Sequence, residues 1–214
     1  MKTIGISLGW NCSPAIAGVS NGIRLSKSDG YLTCPFDEMV SNLPGIIECI
    51  SDDFKYFTDS NYLTLIEAPF SSGGVVKGER LIHNTKYNFF FNHESPDHAG
   101  LYIIQNWQGG MYHYIDNDFK LFKERYNRRI DNFRKYINSG DKIYFIISRF
   151  SQDYTQLKKV ISDFYPSLNY EIIHMNPVDS KQIVLEHYKL MRMSDDIINI
   201  EINAYPYTDK YIEI

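Results

Sequence analysis

Apolar and polar positions divide the chain into alternating strand and helix patterns. Short, almost continuously apolar runs predict buried β-strands at residues 2–8, 62–68, 142–148 and 170–175. Apolar residues that recur every three or four positions predict amphipathic helices at residues 43–57, 119–137, 154–164 and 181–191. A further short helix is predicted at residues 14–19, directly after the first strand.

Strands that alternate with helices indicate an α/β protein. The apolar strands at 142–148 and 170–175 flank a helix, and such a unit favours parallel pairing. The predicted fold class is therefore a three-layer α/β sandwich with a mainly parallel sheet. The chain has no repeat and no low-complexity tract, so we expect one domain over residues 1–214, with an aromatic and polar loop insertion around 94–116.

Composition and charge narrow the classes of function. The 214 residues are 43% hydrophobic with a net charge of −4, which argues against a general nucleic-acid binder. Three cysteines without a Cys-x-x-Cys pair argue against a disulfide framework or a thiolate zinc site and favour a reducing compartment. The start has no signal-like apolar segment, and no apolar run approaches the ~18 residues of a membrane span. We expect a cytoplasmic protein that needs no metal and no cofactor.

The segment after the first strand is the most informative for chemistry. It reads Gly9-Trp10-Asn11-Cys12-Ser13-Pro14. Gly9 permits a sharp turn, Asn11 or Ser13 can cap a helix, and Pro14 suits its first turn. A helix N-terminus favours the thiolate, which is the nucleophilic form of cysteine. Cys12 is therefore the candidate nucleophile, and a packed structural cysteine is the alternative.

A second cysteine and several histidines complete the set of catalytic candidates. Cys34 is a weaker candidate nucleophile, because no strand and glycine turn precede it. A thiol nucleophile needs a base within hydrogen-bond reach and a group that orients the base. The candidate bases are His93, His98, His113 and His174. The candidate orienting carboxylates are Asp37, Asp97 and Asp116.

Positive charge marks the helix predicted at 119–137. Arg128 and Arg129 are its better candidates for anion binding, and an ordinary solvated helix surface is the alternative. Arg149 follows a buried strand, and a guanidinium at the carboxyl end of a strand can bind an anion.

Several of these motifs occur together in one known family. They are, in chain order, Ser7-Leu8-Gly9-x-x-Cys12-x-x-Ala15, Gly22-Ile23-Arg24, Pro35-Phe36-Asp37, Asp53-Phe54-x-x-Phe57, Tyr87-x-x-x-Phe91-x-His93, Arg128-Arg129-Ile130-x-x-Phe133 and Phe145-x-x-x-Arg149. With this set and order the sequence resembles an uncharacterised family described as papain-like cysteine peptidases. One departure is Glu38, which stands where family members carry Trp.

The resemblance implies a thiol-dependent hydrolase with Cys12 as nucleophile and His93 as base. We expect Asp37 to be the carboxylate of this motif that orients the base. The resemblance also implies a papain-like α+β fold, with the cysteine on a long helix and the histidine on an antiparallel strand. That fold is the alternative to the parallel α/β sandwich.

Three functional hypotheses follow. The leading one is a cysteine hydrolase or acyltransferase for a peptide or small acyl substrate, whose oxyanion is held by N–H groups from Asn11 to Ser13 and by the Asn11 side chain. The second is a non-catalytic module that binds a nucleotide, sugar or phosphorylated group through Arg24, Arg128 or Arg149. The third is a host-interaction protein with the aromatic region 87–114 as its surface.

Overall fold

The structure is a computed structural model that describes residues 3–69, 71, 75–98, 100–148, 153–175, 181–196 and 198–199. Its strands and helices are, in chain order, β1 (Thr3–Ser7), α1 (Ser13–Ser20), α2 (Leu43–Ser51), β2 (Leu63–Glu67), β3 (Arg80–Asn84), β4 (Phe89–Phe90), α3 (Leu101–Ile104), α4 (Asp116–Ile137), β5 (Lys142–Ile147), α5 (Thr155–Phe164), β6 (Tyr170–His174) and α6 (Lys181–Leu190). Short 3₁₀ turns occur at Pro35–Glu38, Ser60–Tyr62, Asn92–Glu94 and Gly110–Tyr112. In the described part of the chain, every helix is too short or too polar to cross a membrane.

Two three-stranded sheets form within the described residues. In the first, β5 lies between β1 and β6, and both pairings are parallel. In the second, β3 lies between β2 and β4, and both pairings are antiparallel. The parallel sheet confirms the predicted α/β class, whereas the sequence patterns did not predict β3 or the antiparallel sheet.

Helices cover both faces of the parallel sheet. Alternate residues of a strand point to opposite faces, so Phe145 and Ile146 of β5 lie on different sides. Phe145 packs against Phe133 of α4, with ring centroids 6.3 Å apart. Ile146 lies against α1, because a Cβ added at Gly18 would come within 2.5 Å of the Ile146 Cδ1. The sheet with α1 on one face and α4 on the other makes the three layers of the predicted sandwich.

Two segments differ from the predicted helices and loops. The helix predicted over 43–57 ends at Ser51, because Asp53 and Phe54 take φ values of 49° and 62°, which a right-handed helix does not contain. Residues 94–116, predicted as a loop, hold the short helix α3 and a 3₁₀ turn.

Candidate active site

A tight turn at Gly9 and Trp10 carries the chain from β1 towards α1. Their φ values are +95° and +68°, in a region that residues other than glycine rarely occupy. Ser41 fixes the turn, because its Oγ accepts from the Trp10 N–H at 3.1 Å and its own N–H donates to the Trp10 carbonyl at 2.9 Å. A Cβ at Gly9 would lie 1.9 Å from this Oγ. Both the backbone angle and the close approach therefore require glycine at this position.

Cys12 is the N-cap residue of α1 and is only partly buried. The Asn11 Oδ1 accepts from the Ser13 N–H at 2.8 Å, and Pro14 occupies the first helical turn. The Ser13 N–H, predicted as an oxyanion donor, is therefore occupied in this conformation. The Asn11 Nδ2 remains as a side-chain donor, since no described residue accepts from it.

The other two cysteines are fully buried. Burial raises the pKa of the Cys34 thiol well above its ordinary value, and the Asp37 carboxylate raises it further. Burial likewise raises the pKa of Cys49, which lies within α2. A thiol that stays protonated is a poor nucleophile. Of the three cysteines, Cys12 is the accessible candidate.

Among the described residues, the Asp37 carboxylate pairs with Arg24 and with no imidazole. The Arg24 Nη1 donates to Asp37 Oδ1 at 2.7 Å, and the Cys34 N–H donates to Oδ2 at 2.8 Å. Burial raises the pKa of Asp37, and the charge of Arg24 opposes that rise. The Arg24 guanidinium also lies 3.8 Å from the centroid of the Tyr31 ring. Arg24 and Asp37 thus neutralise each other inside the protein, and Arg24 also lines a cavity of about 270 Å³.

His93 lies in the 3₁₀ turn Asn92–Glu94, just after β4. Burial lowers the pKa of its imidazole, while the charges of Glu94 and Glu38 oppose that fall. Its ring packs edge-on against His98, with centroids 5.2 Å apart. A neutral imidazole is the form that accepts a proton. At neutral pH His93 is therefore in the form that a general base requires.

The segments that carry Cys12 and His93 are tied to each other through residues 40–41. Ser41 holds the Trp10 turn before Cys12, and Val40 pairs with Phe90 of β4, just before His93. Among the described residues no hydrogen bond joins the Cys12 sulfur to the His93 ring. Catalytic hydrogen bonds are often long without substrate and tighten when it binds.

The carboxyl edge of the parallel sheet offers a rival base. His174 ends β6 at the same edge as the turn before Cys12, and β5 lies between them. With neighbouring strands ~4.8 Å apart, the two strand ends lie about 10 Å apart across the sheet. Ser148 follows β5 at this edge, and its Oγ is buried without a hydrogen-bond partner among the described residues.

Two carboxylates near His93, the buried Glu94 and the partly exposed Glu38, were not predicted as site residues from the sequence. Glu94 is fully buried, and its Oε1 lies 2.8 Å from Arg125 Nε and 3.4 Å from Arg129 Nη1. Glu38 forms ion pairs with Arg129 and Lys27. Burial opposes ionisation of Glu38, but the charges of Arg129 and Lys27 outweigh it and lower its pKa to about 2.

One signal in the sequence points to this network. Arg129 lies among Tyr126, Ile130 and Phe133, which recur at helical spacing and are buried on α4. An arginine on the buried face of a helix needs a carboxylate partner. The sequence therefore indicates that a partner exists, although it does not indicate which residue it is.

The remaining predicted site residues are two arginines. Arg128 is exposed on α4 and forms no ion pair with a described residue. Arg149 lies outside the described residues. Among the residues that the structure describes, no three potential metal ligands cluster together.

Comparison with known proteins places the chain in a family. No curated protein and no solved structure matches the chain. One family model, described as "Putative papain-like cysteine peptidase (DUF1796)", matches residues 4–177. This match spans well over half of the chain and includes both Cys12 and His93. The chain therefore belongs to the family that this model describes.

Proposed function

We propose that the protein is a thiol-dependent hydrolase or acyltransferase in which Cys12 is the nucleophile and His93 is the base. Membership of a cysteine-peptidase-like family supports this class of chemistry. The observation that carries the proposal is solvent access at Cys12. It is the one cysteine of three that is not buried, and it begins a helix directly after a turn with strained backbone. Strained backbone is concentrated at functional sites.

The reaction has two balanced steps. In the first, the Cys12 sulfur attacks the acyl carbon and His93 takes the thiol proton. The tetrahedral intermediate then collapses to a thioester, and His93 gives the proton to the departing amine or alcohol. In the second, His93 takes a proton from water or another acceptor, which attacks the thioester and releases the acyl product. The proton returns to the Cys12 sulfur.

Oxyanion stabilisation falls to the Asn11 side chain in this proposal. Its Oδ1 is held by the Ser13 N–H, which fixes the amide plane and leaves Nδ2 as the donor. Removing one oxyanion donor from an acyl-transfer enzyme costs about 100-fold or more in rate. Asn11 is thus a catalytic residue of the proposal, and Ser13 positions it.

Glu94 and Glu38 supply negative charge near the proposed general base, His93. Both carboxylates act on the His93 ring and favour its protonated form, which develops during the first step. Asp37, predicted for this role, instead holds Arg24 and the N–H of Cys34. Asp37 therefore positions the 3₁₀ turn that carries Glu38.

The substrate in this proposal is a peptide or a small acyl compound. A cytoplasmic location is part of the same proposal. No cofactor or metal takes part in either step.

Trapping of the acyl-enzyme tests the proposal. Wild-type protein incubated with p-nitrophenyl acetate should gain one acetyl group by intact mass, located on Cys12 by peptide mapping. The Cys12→Ala variant should gain none. In His93→Ala the rate should fall about 100-fold, the usual loss for a general base.

Two histidine variants serve as matched controls. His83→Ala removes a ring that stacks on Phe90 with centroids 4.5 Å apart, and it should keep the wild-type rate. His174→Ala tests the rival base at the sheet edge and should also keep it. Acetylation that persists in Cys12→Ala, or that depends on His174 and not on His93, would overturn the assignment.

A further inference from the structure

A cavity of about 360 Å³ lies between the loop that starts at Lys27 and helix α4. Its volume falls within the range of pockets that hold small ligands. The cavity is lined by Lys27, Tyr31, Leu32, Thr33, Arg125, Arg128, Arg129 and Asn132. We propose that this cavity binds the carboxylate or phosphate group of a small anionic ligand, with Arg128 as its principal contact.

The charge balance of the cavity supports an anion. Four of the lining residues are cations and none is acidic. Glu38 and Glu94 pair with three of these cations, namely Lys27, Arg125 and Arg129. Four positive charges against two negative ones leave an excess of two. An anionic group would compensate that excess.

Arg128 is exposed, and of the four cations that line the cavity it is the one that forms no ion pair with another described residue. Arg125 is a neighbour of both Arg128 and Arg129 on α4, because residues three and four apart meet on the surface of a helix. Like charges at this spacing destabilise a helix. The charge of Arg128 therefore adds repulsion from Arg125, which Glu124 and Asp131, four and three positions away, reduce and which a bound anion would reduce further.

The guanidinium groups also suit the proposed ligand chemically. Arg129 is 4% exposed, and its Nη1 is buried without an aligned hydrogen bond, although it lies 3.4 Å from Glu94 Oε1. A planar guanidinium offers two parallel N–H groups to a carboxylate or a phosphate. Arginine does not lose its charge in the physiological range, so the cavity stays positive from acid to alkaline pH.

This inference goes beyond the proposed thiol chemistry and does not depend on it. An anion in the cavity would act on the candidate base, because the neighbouring Glu38 and Arg129 both already act on His93. The bound anion could be an acidic group of the acyl substrate itself or a separate small ligand. Binding itself requires neither Cys12 nor His93.

Calorimetric titration at low ionic strength tests the inference. Inorganic phosphate and succinate are titrated separately into wild type, Arg128→Gln and Arg134→Gln. Arg134 is the matched control, since it lies on the same helix but pairs with Asp53 at 3.0 Å. We expect Arg128→Gln to weaken binding about tenfold, the loss typical of one charge-assisted hydrogen bond. Arg134→Gln should bind as wild type does.

The two probes separate the two ligand chemistries. Saturable binding of phosphate alone would assign the site to phosphate esters, and binding of succinate alone would assign it to carboxylates. Binding in both arms supports the general anion site. No saturable binding of either probe up to about 10 mM, a range that still detects weak sites, would overturn the inference. Equal affinity in wild type and Arg128→Gln would also overturn it. The Cys12→Ala variant should bind as wild type does, so failure of the hydrolase proposal would not be mistaken for failure here.

Discussion

Cys12 and Cys34 stand in similar local sequence but in opposite environments. Each is the N-cap residue of a helical turn that has proline in its first turn. Cys12 is partly exposed at the end of a strained turn, whereas Cys34 is completely buried beside a carboxylate that raises the pKa of its thiol. The comparison teaches that a helix start alone does not make a cysteine reactive. Burial and a neighbouring carboxylate, which both raise the pKa of the Cys34 thiol, distinguish it from the otherwise similar and more exposed Cys12.

The two surroundings also differ in how their polar groups are satisfied. Around Cys34, Arg24 and Asp37 form a buried ion pair, and Asp37 accepts the Cys34 N–H, although the Arg24 Nε has no hydrogen-bond partner among the described residues. Beside Cys12, the Asn11 side chain keeps one donor available. A fully buried ion pair favours a structural role, and a side-chain donor beside a partly exposed cysteine favours binding or catalysis.

The largest expected loss of stability comes from breaking the buried ion pair between Arg24 and Asp37. Asp37→Asn leaves the buried charge of Arg24 without a counter-ion, so the free energy of unfolding should fall by about 3–5 kcal/mol. Urea unfolding at pH 7 measures this loss. Asp53→Asn is the control, because the Asp53–Arg134 pair is exposed and should be worth less than about 1 kcal/mol. Unchanged stability in Asp37→Asn, together with loss of acylation at Cys12, would return Asp37 to the orienting role.

A somewhat smaller effect should follow from blocking the turn that presents Cys12. In Gly9→Ala the new Cβ meets Ser41 Oγ and the residue must hold positive φ, so we expect a loss of about 3 kcal/mol. Gly140→Ala is the matched control. Gly140 also has positive φ, but no atom of a described residue lies within 4 Å of its added Cβ, and the variant should lose only about 1 kcal/mol. Thermal unfolding of both variants separates the cost of the contact with Ser41 Oγ from the cost of positive φ. Equal losses of stability in the two variants would contradict the claim that Ser41 requires glycine at position 9.

The carboxylate next to Asp37 should give a pH-dependent effect. The pKa of Glu38 is about 2, below its ordinary 4.5, so its ionised form stabilises the folded state above pH 4.5. That contribution, about 3 kcal/mol at full strength, should disappear as the pH falls from 4.5 towards 2. Unfolding free energies of wild type and Glu38→Gln should therefore differ at pH 7 and converge in acid. Glu124→Gln, at an exposed position of α4, should track wild type throughout. A gap that stays constant with pH would refute the ion-pair account.

The smallest expected effect concerns Ser148, at the sheet edge beside the Cys12 turn. Its buried Oγ has no partner among the described residues, so Ser148→Ala should raise the free energy of unfolding by about 1 kcal/mol. Chemical denaturation measures the change. A stabilised variant that acylates normally would make the hydroxyl structural. A stabilised variant with slower acylation would add Ser148 to the site.

Features set by near neighbours in sequence were predictable. The strand, turn and helix around Cys12 follow from Gly9 and Pro14, and the unit from β5 to β6 follows from two apolar strands around a helix. The antiparallel sheet was missed because β4 has two residues and β3 mixes charged and apolar ones. In neither strand does the alternation of apolar and polar residues extend far enough to predict a β-strand.

Contacts between distant residues were not predictable from pattern. Glu38 and Arg129 are 91 positions apart, and their pairing depends on the packing of α4 against the 3₁₀ turn that holds Glu38. Burial of Arg24 and Asp37 is likewise a tertiary property. A sequence pattern shows that a charge lies on an apolar face, but the fold decides which opposite charge reaches it.

The central claim is that Cys12, and not Cys34, is the activated thiol of this protein. Its most direct test is alkylation by iodoacetamide from pH 5 to 9, with each cysteine quantified by peptide mapping, in wild type, Cys12→Ala and His93→Ala. The account predicts rapid labelling at Cys12 that persists at pH 6, falls in His93→Ala, and leaves Cys34 and Cys49 unlabelled while the protein is folded. Slow labelling of Cys12 with the pH dependence of an ordinary thiol, unaffected by His93→Ala, would contradict it.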